Sequence, residues 1–596
     1  MCGIVGYIGK NEIKEILIHG LKELEYRGYD SAGIAVLDNQ KELHTFKAVG
    51  KIQNLENKVK DFHTQGFGIG IGHTRWATHG KPTEANAHPH IAAFSNVVHN
   101  GIIENYADLK KMLEQKGCRF ISQTDTEVIV HLFEENLKIH SEPMDAFAAT
   151  IQACRGAYAI LLITKAAPSK IFYAKHSSPL IIGRGEHGIY FSSSDSPLVG
   201  LATEVVYLED GAIGVMQEGA FDSLSPIQPL NINKNLAQKD GFRYFMEKEI
   251  YEQHNILLET IMGRTSTEEI HLEGLDPLLL SSLKSIHICA CGTSYHSAMV
   301  GKYLIERLAQ IRVNVAIASE FRYANPVMEK EELFISISQS GETADTLEAL
   351  KLAKKSGLKT LAICNVDNSS IVRESESSIL TRAGIEKGVA STKAFASQVL
   401  VLWLFGVFLA QERKKLDKAQ IKEQITRMFD SIKATQVDPD LHERIKRLSK
   451  RYLHGHGFFF IGRDVFYPLA LEGALKLKEI SYLHAEGYPG GEMKHGPIAL
   501  ADSNLFTIAL MPEHLLYEKI KSNVEELSAR DTTICSISSQ VCSVADDRIV
   551  IPQAKSYMEE FFSMTVVLQI LALEIAIKLG NDVDMPRNLA KSVTVE

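Results

Sequence analysis

The sequence predicts an α+β sandwich over its first 230 or so residues and two doubly wound α/β domains behind it. Three observations carry that expectation. Short apolar or alternating runs, Gly3 to Ile8, Ala32 to Leu37, Gly68 to Ile71 and Val97 to Val98, are bounded by Gly, Asn or Asp, as strands are. Beyond residue 280 the pattern becomes strand, glycine or serine turn, helix, which is how a parallel sheet alternates with its crossover helices. That order then returns: Gly292 and Gly462 occupy corresponding turns, and Phe395 and Phe562 lie in corresponding apolar helices, a spacing of about 170 residues that marks a duplication.

In chain order, Ile13, Ile16, Leu17, Leu21 and Leu24 recur at helical spacing and stop before Arg27-Gly28. Glycines 66, 68, 70 and 72 put glycine on one face of a strand, which signals close approach of another backbone; they are no GxGxxG loop. A second helix is expected through Thr126 to Leu137. The polar stretch from Gln228 to Asp240 marks a domain junction. IHICACG and LFISISQSG each lead into a helix, LKTLAICN is a third strand, and FFFIGR, LFTIALMP and TTICSIS repeat the series. The expected layout is residues 2–226, a linker 227–244, α/β domains 245–435 and 436–580, and a tail 581–596.

The chain has 596 residues, and 64 Lys+Arg against 73 Asp+Glu leave it at −9, which disfavours gripping nucleic acid or anionic lipid and favours a small-molecule partner. Eight scattered cysteines without a CxxC pair read as thiols of a reducing compartment. No secretory, myristoylation or prenylation signal is evident, so a cytoplasmic protein is expected. Ala394 to Gln411 carries no formal charge and reaches the lower length for a membrane span. It includes Ser397, Gln398 and Gly406 and no second span is read beside it, so a buried helix of a soluble domain is the expectation.

Cys2 becomes the first residue once Met1 is removed, and a thiol then shares its residue with a free α-amine. That amine, with a reference pKa of roughly 7.7 to 8.0 against about 10.4 for lysine, accepts a proton near neutrality. Nucleophile and base thus meet in one residue. Cys2 alone reads more readily as a small apolar side chain of the first strand. The motifs that follow it decide between the two: CGIVG, EYRGYDSAG (Glu25 to Gly33), HTRWATHG (His73 to Gly80), NAHPH, HNGIIEN (His99 to Asn105) and TDTEV (Thr124 to Val128). In this order they resemble the class II glutamine amidotransferase domain, an N-terminal nucleophile hydrolase. The resemblance implies that Cys2 attacks the glutamine side-chain amide to give a thioester and ammonia. It also implies that Asn100 and the N–H of Gly101 form the oxyanion hole, and that Arg75 holds the glutamine carboxylate and Asp125 its ammonium. Trp76, Thr78 and His79 would line the same site, with Trp76 gating ammonia on an enclosed interdomain path. His73, His79, His88, His90 and His99 lie close in sequence, but without metal-ligand spacing or a cysteine pair no zinc site is expected.

In the second half, Ser338-Gln339-Ser340-Gly341-Glu342-Thr343 sits where a strand gives way to a helix, and Cys291-Gly292-Thr293-Ser294 does the same. Such turns either cap a helix or bind an anion at the strand C-terminal ends. No P-loop lysine follows. Glu472, Lys476 and Glu479 share one helix face, which by spacing alone is a solvated ion-pair stripe. ACGTS, SQSGETADT, GVASTKAF, ALEGALKLKEISY, EMKHGP and DMPRNLAKSVTVE are similar to the paired sugar isomerase (SIS) domains, flavodoxin-like in fold, of the glutamine:fructose-6-phosphate aminotransferase family. That resemblance runs end to end. It implies a phosphate seat of Ser338, Gln339, Ser340 and Thr343, with Ser294, Val389 and Ser391 near the sugar. It further implies that His495, supplied by a neighbouring subunit of a homodimer, helps open the ring, that Lys591 forms an imine at C2, and that Glu479 moves the proton between C1 and C2 beside Lys476. The implied reaction takes L-glutamine and D-fructose 6-phosphate to L-glutamate and D-glucosamine 6-phosphate, the first step toward UDP-N-acetylglucosamine, with no metal or organic cofactor. A non-catalytic sugar-phosphate sensor and a different class II amidotransferase are the alternatives.

Overall fold

The computed structural model describes residues 2–76, 80–230, 239–272 and 274–594. The chain divides into two compact units, residues 1–236 with 590–596, and residues 237–589.

The first unit stacks two antiparallel sheets between helices. Gly3–Gly9 lies inside an eight-stranded sheet, paired with Gly68–Arg75 on one side and Gly188–Ser192 on the other. The five-stranded second sheet contains Ser95–Ile103 paired with Gly156–Thr164. Alternation along Gly3–Gly9 explains the stack, because successive side chains point to opposite faces. Ile4 and Ile8 join Val98, Leu161 and Ile163 in the core between the sheets, while Val5 and Tyr7 join Leu17 and Leu21 of helix Ile13–Leu24 on the outer face. The second sheet is covered in turn by helices Tyr106–Gln115, Glu127–Leu137 and Pro143–Ala153.

The glycines of strand Gly68–Arg75 admit the side chains of a helix where another backbone was expected, and Gly66 precedes the strand. A Cβ on Gly70 would lie 2.6 Å from Ile13 Cγ2 and 2.8 Å from Leu17 Cδ1, so helix Ile13–Leu24 rests directly on the bare face of strand Gly68–Arg75. That helix ends at Leu24 and tightens into a 3₁₀ turn, Glu25–Arg27.

The second unit holds two parallel five-stranded sheets of identical order. In the first the order is Arg312–Ile317, Ser285–Ala290, Glu332–Ser338, Lys359–Cys364, Ser377–Leu380; in the second it is Ala485–Pro489, Gly457–Gly462, Leu505–Leu510, Thr533–Ser538, Asp547–Val550. In chain order this is 2-1-3-4-5, the flavodoxin-like winding, whose topological switch point lies between strands 1 and 3. Three strands per repeat were read in the sequence; the two flanking strands of each sheet are additions from the structure.

The membrane-length stretch needs one correction. Among the described residues two helices, not one, are long and apolar enough to span a bilayer, Lys393–Glu412 and Tyr557–Lys578, and they are the corresponding helices of the two repeats. Each has 94% of its apolar window buried within the protein, where Phe395 and Phe561 meet at a ring separation of 6.2 Å in one continuous core.

Candidate active sites

Strand pairing builds the first site. Gly3 stands opposite Thr74, so Cys2 falls beside the residues that end strand Gly68–Arg75. The Trp76 N–H donates to Cys2 Sγ at 3.3 Å. Burial pushes the Cys2 thiol up, opposed by that N–H and by the charge of Arg75. Asn100 projects from Ser95–Ile103 and its Nδ2 donates to the Cys2 carbonyl oxygen at 3.1 Å. Gly101 has φ +133°, and a Cβ there would sit 1.9 Å from the Ala157 carbonyl oxygen, so no other residue fits.

Arg75 is buried and donates to the Gly80 carbonyl at 3.1 Å, while Asp125 Oδ2 accepts the Ile103 N–H at 2.7 Å. Asp125 and Asp30 stabilise the Arg75 cation against the cost of its burial. Trp76 stacks edge-on with Tyr29 at 6.3 Å. Thr78 and His79 lie outside the described residues. Cys2, Arg75, Trp76, Asn100, Gly101 and Asp125 thus belong to one neighbourhood.

Four of the five histidines form a buried group. The rings of His73 and His88 are 4.0 Å apart and those of His88 and His90 4.6 Å. His73 Nε2 lies 3.0 Å from the His99 carbonyl oxygen, His90 Nε2 2.9 Å from Thr124 Oγ1 and His99 Nδ1 2.9 Å from Thr126 Oγ1. Desolvation lowers His73 to about 3 and holds His88 and His90 well below the ordinary imidazole value.

The second site lies at the switch point of the first repeat. Ser338 ends its strand; its hydroxyl accepts the Gly341 N–H at 3.0 Å and lies 3.1 Å from Thr343 Oγ1. Ser340 Oγ accepts the Glu342 N–H at 3.2 Å, and Thr343 occupies the N-cap position of helix Ala344–Lys355 without a side-chain capping bond. The loop containing Gln339 therefore curls at a helix N-terminus, where hydroxyls and the dipole favour an anion. Across the switch point, Ser294 lies in the first turn of helix Gly292–Ala309, its hydroxyl fixed by Gln398 Nε2 at 3.0 Å. Val389 is buried, its N–H on the Asp584 carbonyl at 3.1 Å, and Ser391, half-buried, precedes helix Lys393–Glu412.

Helix Phe466–Ser481 carries Glu472, Lys476 and Glu479 on one face, Glu472 meets the neighbouring helix, and the stripe is not solvated. The side chains of Lys476 and Glu472 are 1% and 4% exposed and that of Glu479 is 19%. Lys476 Nζ lies 2.5 Å from Glu479 Oε2 and 3.6 Å from Glu472 Oε1. Burial alone would lower Lys476, but the carboxylates of Glu479 and Glu472 outweigh it and hold the ammonium above its usual pKa. His495, at the end of the 3₁₀ turn Gly490–His495, is exposed. Lys591 falls in the segment that clusters with the first unit, residues 590–596.

Sequence reasoning placed Thr293 only within a candidate anion turn and assigned no role to His296 or Glu386. Thr293 Oγ1 and His296 Nδ1 both contact Glu472, and Glu386 acts on Lys476. The signal of Thr293 and His296 was faint: two polar residues three apart near a helix's start.

A thiol at the head of a two-sheet sandwich and a serine loop at a flavodoxin-like switch point define a class of protein, a glutamine amidotransferase joined to a pair of sugar isomerase domains. Profile comparison agrees. A glutamine amidotransferase domain matches residues 73–200 and an SIS domain matches residues 279–408 and 455–579. The glutamine–fructose-6-phosphate aminotransferase [isomerizing] of Campylobacter jejuni is 60% identical, and that of Helicobacter pylori 57%, each over 100% of both chains. The solved C-terminal domain of glucosamine-fructose-6-phosphate aminotransferase from Francisella tularensis is 40% identical; it aligns over 59% of this chain and 100% of its own with a TM-score of 0.56. The chain belongs to the isomerizing glutamine–fructose-6-phosphate aminotransferase family.

Proposed function

We propose that this chain converts L-glutamine and D-fructose 6-phosphate to L-glutamate and D-glucosamine 6-phosphate, the opening step of hexosamine synthesis. The observation that carries the reading is the presence in one chain of a half-buried Cys2, its thiol accepting the Trp76 N–H and its carbonyl the Asn100 amide, and of a buried Lys476–Glu479 pair together with a serine-lined anion turn.

At the first site Cys2, with its α-amine as base once Met1 is gone, attacks the amide carbon; a thioester forms and ammonia leaves. Asn100 Nδ2 and the Gly101 N–H receive the oxyanion, donors of a kind typically contributing about 3 to 4 kcal/mol. Arg75 pairs with the glutamine carboxylate and Asp125 with its ammonium, and Trp76, Thr78 and His79 complete the pocket. At the second site Ser338, Gln339, Ser340 and Thr343 hold the phosphate, and Ser294, Val389 and Ser391 flank the sugar. His495 assists ring opening, Lys591 forms an imine at C2 that ammonia displaces, and Glu479 carries the proton between C1 and C2. We read the assembly as a homodimer of the cytoplasm, laid out as an amidotransferase domain over 2–226, a linker 227–244, SIS domains over 245–435 and 436–580, and an active-site tail from 581. The free state of all eight cysteines supports the reducing compartment. Sedimentation at micromolar concentration checks the dimer.

The test is Glu479→Gln. It is expected to keep glutamine hydrolysis and to lower amino-sugar formation at least 100-fold, in line with the roughly 10² to 10⁴ supplied by general acid–base groups. Parent-level product formation by this variant would refute the proton-transfer role.

A further inference from the structure

We propose that Thr293 and His296 are positioning residues of the sugar site: by pinning Glu472 they determine how Lys476 is shared between Glu472 and Glu479. The inference rests on the reading above and extends it to the residues that hold Glu472.

Both Glu472 oxygens are taken. Thr293 Oγ1 donates to Oε1 at 3.0 Å, and His296 Nδ1 lies 2.7 Å from Oε2. The donors come from the first two turns of helix Gly292–Ala309 in the first repeat, and the acceptor from the corresponding helix of the second, Phe466–Ser481. Ser294, placed at the sugar, sits between the two donors in sequence, so one helical turn serves both the sugar and the carboxylate. In a nearly dry site an unpinned carboxylate satisfies itself on the nearest cation. Here that cation is Lys476, at 3.6 Å from Glu472 and 2.5 Å from Glu479. With its lone pairs occupied by a hydroxyl and an imidazole, Glu472 leaves the ammonium lying closer to Glu479. Lys476 also feels Glu386, held in place by the N–H groups of Thr392 and Ala394. The charged and titratable groups named around this ammonium are therefore Glu472 and Glu479 from its own helix, His296 from the neighbouring helix and Glu386 from the preceding segment.

Opposite shifts follow for opposite changes. His296→Ala frees Glu472 to draw Lys476 away, so Glu479 loses its counter-charge and the acid limb of the kcat–pH profile moves up. Glu472→Gln removes the competitor, Lys476 settles wholly on Glu479, and the acid limb moves down. The experiment measures amino-sugar formation by the full-length enzyme from glutamine and fructose 6-phosphate across pH 5 to 9. Expected are a kcat loss of about tenfold or more in each variant with KM for the sugar within about threefold, the signature of an interaction spent on the reaction and not on binding. His296→Asn, whose amide can donate from the place of Nδ1, is expected to recover most of the loss. Parent-like kcat and limb in His296→Ala, or limbs that move together in the two variants, would overturn the proposal, and so would a loss that Asn does not restore. Should His296→Ala fail to fold, the isosteric Glu472→Gln carries the test through the direction of its limb. A parent enzyme that forms no amino sugar would instead refute the proposed function, a result distinguishable from any of these.

Discussion

His73, His88, His90 and His99 are neutral because they are buried, and that ties the first unit's stability to pH. Unfolded, each would titrate near 6.5. Below that value the unfolded chain binds protons that the folded chain refuses, so the stability present above about 6.5 is lost as pH falls through 6.5 toward the folded values, about 3 for His73. Each histidine can contribute up to about 1.4 kcal/mol per pH unit in that window. Thermal unfolding of the first unit is accordingly expected to drop steeply between pH 6.5 and 5, and a flat Tm would contradict the neutral cluster. Gly101→Ala tests the thiol site from another side: with 1.9 Å between a Cβ and the Ala157 carbonyl, glutamine hydrolysis is expected to fall at least 100-fold, the order of removing one oxyanion donor. Cys2, Asn100, Gly101 and Asp125 were legible in the sequence because each sits in a motif of its own. Thr293 and His296 were not, because the carboxylate they hold lies 179 and 176 residues away and only folding brings the two repeats' helices together.

At the scale of elements, the bare glycine face of Gly68–Arg75 sets the distance between helix Ile13–Leu24 and the sheet. Gly70→Ala is expected to destabilise the first unit by about 1 to 3 kcal/mol through overpacking, read as a lower urea midpoint at unchanged m-value. An unchanged midpoint would mean that the helix can retreat at no cost. Central strands were readable because burial on both faces makes them continuous apolar runs, as in IHICA and LFISIS. The strands missed in each repeat flank these runs: Arg312–Ile317, Ser377–Leu380, Ala485–Pro489 and Asp547–Val550 are short or half-exposed and carry Arg, Asn, Ser, Glu or Asp. The second membrane-length helix escaped notice because Glu559, Glu560 and Glu574 interrupt its apolar run, and Glu560 is fully buried against the N–H groups of Glu513 and His514.

For the whole molecule, a net charge of −9 faces an anionic sugar phosphate and the carboxylate of a zwitterionic glutamine, so attraction has to be local. In the proposed sites it comes from Arg75, buried in one unit, and from Lys476 and a serine-lined helix N-terminus in the other. The central claim is that nitrogen released at Cys2 ends on the sugar. Full-length enzyme given fructose 6-phosphate and glutamine labelled with nitrogen-15 in the side-chain amide, as the sole nitrogen source, is predicted to yield labelled glucosamine 6-phosphate and glutamate in equal amounts. Cys2→Ala, in the same assay, is predicted to yield neither while still interconverting fructose and glucose 6-phosphates slowly. Amino sugar formed by Cys2→Ala, or none formed by the parent, would contradict the account.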